Sequence, residues 1–286
     1  MNKAVIGTTI LLILTVATYF GYTEIKRQEA IEKAKQEQIK KENSEKEEEE
    51  PKEEQPPIPI TIMDIKEEVT SIGGQYSYIK YPLVTNQTET IKIILYSHGS
   101  ITFVTNDFTD PFMLDMRKYG DFFSQKGYVF AASNEHGANW GSTVAVNDMK
   151  LLKEYITTAI SNQANTLGLL DYKPAYEIYL VGYSMGGLPT MNYTTTYPTT
   201  VKKVALLAPT IYLDTWNKAR FDKIASIPVK IWHGNKDVNV PWSLSNSFVS
   251  KAKSNGKTIE FITLQDKTHW NIHTEYFNDI LTFFNE

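Results

Sequence analysis

The sequence predicts an α/β fold in which a mostly parallel, twisted sheet of about eight strands carries helices on both faces and a minimal cap. Short apolar runs alternate with segments of helical pattern between Pro57 and Glu286. Runs such as residues 178–181 are apolar without alternation, which is typical of strands buried on both faces. That run breaks into Gly182-Tyr-Ser-Met-Gly186, a pattern typical of a turn from a strand into a helix.

The composition excludes several kinds of site and partner. The chain has 286 residues, enough for one large domain and an appendage. It contains no cysteine, so disulfides, a thiolate nucleophile and cysteine-ligated metals are excluded. The absence of cysteine also suits a protein that faces an oxidising exterior. The net charge is −4 and the sequence has no basic patch, so we expect no nucleic-acid partner.

Residues 1–23 are predicted to form a transmembrane signal anchor. The stretch from Ala4 to Thr23 has no charged side chain, and a helix of this length spans about 30 Å, the hydrocarbon thickness of a bilayer. Lys3 precedes it, as in a secretory signal. A signal peptide cleaved after Ala17 is the alternative, although the cleavage pattern is poor. We therefore expect a membrane partner through this helix.

Residues 24–56 are predicted to form a charged stalk or linker, which leaves residues 57–286 for the globular domain. The stalk is rich in Lys, Glu and Gln, and pairs such as Glu29 and Lys33 support an exposed helix that ends before Pro51. Positive charges after the anchor favour a cytoplasmic domain, whereas the secretory character of the anchor favours the exterior. We expect an extracytoplasmic domain, with a secreted form and a cytoplasm-facing form as alternatives.

The globular domain begins with an antiparallel strand pair, residues 58–65 and 75–81, around the turn Gly73-Gly74. Further strands are predicted at residues 91–96, 128–133, 176–183, 201–207, 229–232 and 257–264. Helices are predicted at residues 111–126, 142–161, 185–193, 242–254 and 272–284. Residues 210–226 stay irregular and are too few for a large helical lid, so we expect an open or lightly covered pocket.

The motif at residues 182–186 has a chemical meaning. It fits G-x-S-x-G, in which a strained serine is exposed at the top of a parallel sheet. Gly182 and Gly186 leave room where a Cβ would collide with neighbouring backbone. An ordinary turn between a strand and a helix is the alternative. Ser184 is therefore a candidate nucleophile, and a serine hydroxyl needs an adjacent base to be effective.

The strand and helix alternation, with this motif after the third parallel strand, resembles the α/β-hydrolase superfamily over essentially the whole globular domain. The resemblance implies partners in the order serine, acid, histidine. Asp237 stands in His233-Gly-Asn-Lys-Asp-Val-Asn-Val-Pro241, which is similar to the acid-bearing loop of the family. His269 follows the last predicted strand, where the family places its base. The resemblance implies Ser184 as nucleophile, His269 as general base and then acid, and Asp237 as the orienting carboxylate.

Donors for a charged tetrahedral intermediate are implied as well. One is the backbone N–H of Met185, the residue after the nucleophile. The second comes from the loop after the first parallel strand, which is similar to the oxyanion loop of the family, and we assign it to the N–H of Ser100. We expect His98 to brace this loop rather than to contact substrate. His273 is the fallback base, and His233 is expected to be a structural turn residue.

A third segment, Ser133-Asn-Glu-His-Gly-Ala-Asn-Trp-Gly141, also follows a predicted strand. His136, Asn139 and Trp140 are candidates to line the substrate pocket, together with Tyr183 beside the nucleophile. A loop packed over the start of the next helix is the alternative. The acidic and histidine residues of the segment could suggest a metal, but no spacing such as H-E-x-x-H is present. We expect neither a metal nor another cofactor.

The prediction is a serine hydrolase that cleaves carboxylic esters of a small-molecule or acylated substrate through an acyl-enzyme. The same triad would serve a peptidase, because the core also resembles the catalytic domain of prolyl-oligopeptidase-type enzymes, or a thioesterase or an acyltransferase. A non-catalytic binding module is disfavoured because no triad member is missing. A dienelactone-hydrolase-like enzyme is disfavoured because that type uses a cysteine nucleophile.

Overall fold

The computed structural model describes residues 26–38, 40–41, 62–84, 90–166 and 174–286. The chain divides into two compact units, Met1–Ile58 and Pro59–Glu286. In the first unit, residues 26–38 and 40–41 are helical and exposed. The predicted anchor and most of the predicted linker lie outside the described residues. Within the part that the structure describes, no helix combines the length and the apolar character needed to cross a bilayer.

The second unit opens with a β-hairpin. Strands β1 (Ile62–Ile72) and β2 (Gln75–Val84) pair antiparallel around Gly73 and Gly74, whose φ angles are 60° and 81°. Both values lie in the left-handed region, which glycine enters without a steric cost. The first strand was expected to end at residue 65, but it continues to Ile72 because the ladder with β2 runs to the turn.

Six parallel strands complete an eight-stranded sheet. They are β3 (Thr90–Ser97), β4 (Tyr128–Ser133), β5 (Ala175–Tyr183), β6 (Val201–Leu207), β7 (Val229–Gly234) and β8 (Glu260–Leu264). The strand order is β1-β2-β4-β3-β5-β6-β7-β8, with β2 antiparallel to β4. The carboxyl ends of β3 to β8 therefore meet at one edge, where an open parallel sheet places its functional loops.

Seven helices lie between or after the parallel strands of this described unit. They are α1 (Pro111–Ser124), α2 (Thr143–Thr166), α3 (Gly187–Thr196), α4 (Lys218–Lys223), α5 (Trp242–Ser254), α6 (Ile272–Glu275) and α7 (Phe277–Asn285). Helix α1 shows why they begin where they do. The Asp110 carboxylate accepts from the N–H groups of Phe112 and Met113, and Pro111 takes the first helical position.

The apolar side chains of the sheet alternate between two cores. In β3, Ile93 and Leu95 belong to one cluster, whereas Ile94 and Tyr96 belong to the other. Side chains of α2 to α5 complete the first cluster, and side chains of α1, α6 and α7 complete the second. Because both faces are covered, the central strands are apolar at successive positions, which explains the continuous runs in the sequence. The predicted fold class, with about eight strands and helices on both faces, is confirmed.

Two further parts of the chain can be compared with the prediction. The last helix was expected to run unbroken over residues 272–284, but it is interrupted at Tyr276 between α6 and α7. The carbonyl oxygen of His273, in the turn before the break, accepts a hydrogen bond from Tyr119 Oη on α1. The irregular segment at residues 210–226 contains a 3₁₀ turn (Leu213–Thr215) and the short helix α4, so no large cap covers the sheet edge there.

The close packing of Gly186 generates a prediction about stability. A Cβ at Gly186 would overlap the carbonyl group of Ser97, although its φ of −58° suits any residue. Gly256 is the matched control, because its φ is +83° but nothing lies within 4 Å of the added Cβ. We expect Gly186→Ala to lower the free energy of unfolding by about 3 kcal/mol or more, and Gly256→Ala to lower it by about 1–2 kcal/mol. Urea unfolding measures both, and equal losses would contradict the packing argument.

Candidate active site

Ser184 occupies a strained turn between β5 and α3. Its φ is +54°, in the left-handed region, and a 3₁₀ turn (Ser184–Gly186) follows before α3 begins. Gly182 permits this turn, because a Cβ there would lie 2.6 Å from Thr190 Oγ1 and 2.8 Å from the carbonyl oxygen of Gly186. The carbonyl oxygen of Ser184 accepts from the Thr210 N–H at 2.7 Å, in the loop after β6. The turn is therefore held both by the sheet and by the neighbouring loop.

The side chains of Ser184, His269 and Asp237 form one hydrogen-bonded chain. His269 Nε2 lies 2.9 Å from Ser184 Oγ, and His269 Nδ1 lies 2.7 Å from Asp237 Oδ2. All three residues are buried, with exposed fractions of 8, 4 and 8% for Ser184, His269 and Asp237. The structure thus brings together, within hydrogen-bond distance, the three residues that the sequence placed in loops after three different strands. In this arrangement an imidazole can accept the serine proton while a carboxylate holds its other nitrogen.

Asp237 is surrounded by hydrogen-bond donors. Burial opposes its ionisation, but donation from His233, His269 and the Val240 N–H outweighs burial and holds the pKa of Asp237 well below its usual range. The N–H groups of Asn239 and Val240 both donate to Oδ1 at 2.9 Å. The carboxylate therefore stays ionised beside the imidazole throughout the neutral pH range.

The loops that carry the acid and the base are tied to each other. The Asn235 N–H donates to the Leu264 carbonyl and the Lys236 N–H donates to the Lys267 carbonyl, both at 3.0 Å. Gly234 allows this approach, because a Cβ there would overlap the carbonyl group of Lys267. The spacing between Asp237 and its histidine partner is thus fixed by the backbone as well as by their own hydrogen bond.

Tyr183 contributes to the site in two ways. Its ring lies 5.1 Å from the His269 ring and stacks at 4.6 Å on the ring of His273. Its hydroxyl donates to the carbonyl oxygen of His269 at 3.0 Å. Tyr183 therefore lines the cavity beside Ser184 and also supports the backbone that carries the imidazole.

A cavity of about 540 Å³ opens over the Ser184 hydroxyl. Its lining includes His269, the proposed base, and the Ser100 loop, which carries a proposed oxyanion donor. Trp140 also lines it. Five further residues that no motif marked also line it, namely Ile101, Thr102, Thr210, Leu244 and Trp270. Asn239, Val240 and Pro241, from the loop that carries Asp237, complete the lining. Most of these residues lie in loops after four strands, whereas Leu244 lies in the first turn of α5. Ile101, Trp140 and Trp270 are 66, 50 and 52% exposed, so the rim of the cavity is apolar.

The two proposed oxyanion donors belong to Met185 and Ser100. Met185 follows Ser184 in the 3₁₀ turn and is fully buried. Ser100 lines the cavity in the loop after β3. That loop is fixed by His98, whose ring nitrogens lie 2.7 Å from the Gly99 carbonyl and 2.9 Å from the Asn134 carbonyl. Burial lowers the pKa of His98, and the ring joins the loop after β3 to the loop after β4.

The segment after β4 divides between the pocket and the scaffold. Trp140 lines the cavity, as expected, with a φ of +46°. His136 instead places Nδ1 2.6 Å from Asp148 Oδ2 on α2, outside the cavity lining. Asn139 also lies outside it, where its side chain accepts from the Gly141 N–H at 2.8 Å and donates to the Gly137 carbonyl. The expectation that His136 and Asn139 line the pocket is therefore corrected. The His136 side chain contacts α2, and the Asn139 side chain binds the backbone of its own loop.

The other two histidines are not alternative bases in this geometry. His273 lines the cavity, but its Nε2 lies 3.2 Å from Asp115 Oδ2 on α1 rather than beside Ser184. His233 is fully buried between Ser245 Oγ at 2.8 Å and the Val240 carbonyl at 2.9 Å, and it also lies 3.2 Å from Asp237 Oδ2. Among the described residues, no three His, Asp or Glu side chains converge as a metal site would require.

Glu135 is a buried carboxyl that the sequence patterns did not reveal. It is 1% exposed and has a φ of +48°. Ser97 Oγ, at the end of β3, donates to Glu135 Oε1 at 2.8 Å. Burial raises the pKa of Glu135 to about 8; the Ser97 hydrogen bond opposes this shift and the Asp148 carboxylate adds to it. The carboxyl links the loop after β4 to the strand that precedes the Ser100 loop.

Comparison with known proteins gives one matching family and several solved structures of similar fold. A family profile described as phospholipase/carboxylesterase matches residues 117–286, which is more than half of the chain. No curated protein sequence matches significantly. Among solved structures, a provisionally assigned dienelactone hydrolase from Klebsiella pneumoniae is 16% identical with a TM-score of 0.54, over 78% of this chain and 99% of that one.

Two further solved structures have a similar fold. A provisionally assigned dipeptidyl aminopeptidase IV from Bacteroides ovatus is 15% identical, with a TM-score of 0.54 over 78% of this chain and 35% of that one. A thermostable esterase is 16% identical, with a TM-score of 0.50 over 77% of this chain and 60% of that one. At these identities the likeness shows a shared α/β-hydrolase fold.

The buried carboxyl of Glu135 predicts a pH-dependent stability. Between about pH 4.5 and pH 8 the folded protein keeps a proton on Glu135 that the unfolded chain releases, so the folded state loses stability as the pH rises through this window. Glu135→Gln keeps an acceptor for Ser97 and removes the titration. We expect the variant to gain stability relative to the native protein between pH 5 and pH 8, by about 1 kcal/mol or more in urea unfolding.

The exposed Glu154 on α2 provides the matched control for this measurement. Glu154→Gln should show the same stability difference from the native protein at pH 5 and at pH 8. The buried state of Glu135 would be contradicted if Glu135→Gln also kept a constant difference at the two pH values.

Proposed function

Because the chain belongs to the phospholipase/carboxylesterase family of α/β-hydrolases, we propose that it is a serine hydrolase that cleaves carboxylic esters through an acyl-enzyme. The observation that carries this proposal is the unbroken hydrogen-bonded chain from Ser184 Oγ through His269 to Asp237. It opens onto a cavity large enough for a small acyl group and its alcohol.

The geometry supports the following first half-reaction. Ser184 Oγ attacks the ester carbonyl carbon while His269 Nε2 takes the hydroxyl proton, which gives a tetrahedral intermediate with a negative oxygen. We assign the N–H groups of Met185 and Ser100 as the donors that stabilise that oxygen, and one such donor is typically worth about 10²–10³ in rate. When the intermediate collapses, the bond to the alcohol oxygen breaks and the alcohol leaves with the proton from His269.

The second half-reaction regenerates the serine. Water attacks the acyl carbon while His269 Nε2 takes one of its protons, and the second intermediate releases the acid and returns the proton to Ser184 Oγ. Asp237 stays ionised and stabilises the imidazolium that forms in both halves, since its pKa lies below the usual range. Tyr183 donates to the carbonyl of His269 and so supports the backbone that carries the imidazole.

The ester is preferred over other acyl substrates for two reasons. The family description names carboxylesterases and phospholipases, both of which cleave esters. In addition, the segment at residues 210–226 contributes only a 3₁₀ turn and α4 above the sheet edge, so a soluble ester can enter without a large lid. Peptidase, thioesterase and acyltransferase activities on the same three residues are the alternatives that a substrate screen would separate.

Replacing the nucleophile provides the first test. Ser184→Ala should lower the hydrolysis of p-nitrophenyl butyrate by at least about 10³-fold, because the remaining residues cannot form the acyl-enzyme. The native protein should hydrolyse the ester faster than the matching anilide. Ser250→Ala, an exposed serine on α5 that only contacts its own helix, is the matched control and should keep full activity. Labelling by a fluorophosphonate probe that persisted in Ser184→Ala would refute the assignment.

We also propose, from the sequence alone, that residues 4–23 anchor the enzyme in a membrane with the catalytic domain outside. The charge-free stretch has the length of a bilayer span and is followed by a polar segment. Protease treatment of intact cells that express the full chain should then remove the domain while a cytoplasmic marker survives. A domain that survives together with the marker would contradict the proposed orientation.

A further inference from the structure

A second cavity lies beside the catalytic one. It has a volume of about 270 Å³, and we call it the Arg220 cavity after the cation in its wall. Trp140 and Thr210 line both cavities, so the two spaces share a wall next to Ser184. Thr210 is also the residue whose N–H binds the carbonyl of the nucleophile. His269 is absent from the lining of the Arg220 cavity.

The Arg220 guanidinium is held in place by neutral groups. It stacks 4.1 Å from the ring centroid of Trp216 and donates to Thr215 Oγ1 at 2.8 Å. Another of its nitrogens donates to Asn192 Oδ1. The residue itself is positioned by Asn217, which caps α4 and accepts from the Arg220 N–H. A long and flexible side chain is therefore fixed before any ligand arrives, which reduces the entropic cost of binding.

Among the described residues, this guanidinium has no carboxylate partner. No carboxylate in the described part of the chain lies within 4.0 Å of it, and its half-buried position lowers the pKa of Arg220 without a compensating partner. Arginine keeps its charge even so. Its five N–H donors exceed the acceptors that Thr215 and Asn192 provide, so donors remain for a ligand. A partly desolvated cation of this kind gains most from an anion that can pair with it.

The rest of the cavity suits a short apolar connection. Leu188, Met191, Ile211 and Tyr212 contribute apolar surface to its walls. Asn192 connects Arg220 to the segment that carries Trp140. Its Oδ1 accepts from the guanidinium, and its Nδ2 donates to the carbonyl of Gly141, the residue after Trp140. The cation, the apolar wall and the shared tryptophan thus form one continuous surface that leads away from Ser184.

We propose that the Arg220 cavity is a subsite for a terminal carboxylate on the acyl chain of the substrate. This inference rests on the proposed esterase function. We assign the subsite to the acyl part of the substrate rather than to the alcohol part. The leaving alcohol must take its proton from His269, and His269 does not line the Arg220 cavity. A carboxylate matches a single guanidinium in charge and can accept two of its N–H groups, whereas a phosphate dianion would leave one charge unbalanced. The preferred substrates are therefore half-esters of dicarboxylic acids.

A pair of isosteric substrates tests the subsite. The p-nitrophenyl half-esters of adipic, pimelic and suberic acid carry a terminal carboxylate, and the corresponding terminal carboxamides have the same shape without the charge. The native enzyme should cleave the best carboxylate with a kcat/KM roughly tenfold or more above its carboxamide. Equal values throughout the series would overturn the proposal, and this comparison needs no variant that could fail to fold.

Variants at Arg220 assign the preference to the guanidinium. Arg220→Gln should abolish the carboxylate preference, measured within the variant as the ratio of kcat/KM for the carboxylate to that for its carboxamide, and Arg220→Lys should restore part of the preference. A preference that survives in Arg220→Gln would overturn the assignment. Lys218→Gln removes a cation that is paired with Asp222 on the same helix, so it is the matched control and should keep the full preference.

Binding without chemistry separates this inference from the proposed function. Ser184→Ala should bind adipate in a calorimetric titration, and the additional change Arg220→Gln should abolish that binding. A native enzyme that fails to hydrolyse any ester while Ser184→Ala binds adipate through Arg220 would refute the esterase and keep the subsite. A native esterase whose Ser184→Ala form shows no Arg220-dependent binding would refute the subsite alone.

Discussion

The tight turn after β5 is the constraint on which the rest of the site depends. Ser184 adopts a left-handed backbone that an ordinary residue enters at a cost of about 1–2 kcal/mol. The neighbouring strands maintain it, because Gly186 lies against the end of β3 and the Ser184 carbonyl binds the loop after β6. The same contacts place Ser100 and Thr210 beside the nucleophile. A bulkier residue in this turn would move the serine relative to both neighbouring loops at once.

The acid and the base reach the serine from the other half of the sheet edge. Their loops follow β7 and β8, and backbone hydrogen bonds at Asn235 and Lys236 join one loop to the other. Folding therefore aligns Asp237 and His269 before substrate arrives, so the entropic cost of orienting them does not fall on the reaction. The parallel sheet makes this possible, because it brings the ends of strands that are distant in sequence to one edge.

Local patterns predicted most of the fold and the central part of the site. Apolar run lengths located the strands, and glycine spacing together with the family resemblance singled out Ser184, Asp237 and His269, whose side chains lie within hydrogen-bond distance of one another. The directions of the side chains in the loop after β4 were not predictable from the sequence. Residues such as His136 have a left-handed backbone there, and the His136 side chain does not line the cavity. The break at Tyr276 arises near a tertiary hydrogen bond from Tyr119. The surroundings of Arg220 combine three separate segments without a motif.

Trp140, together with Thr210, borders two spaces with different chemistry. It is half exposed, its backbone N–H contacts Met185 Sδ at 3.4 Å, and its ring borders both the catalytic cavity and the Arg220 cavity. A smaller residue at this position would merge the two spaces. If the proposed ester substrate and its carboxylate subsite are correct, a change at Trp140 that admits a bulkier acyl chain would also change the wall of that subsite, so the two traits of substrate preference would evolve together.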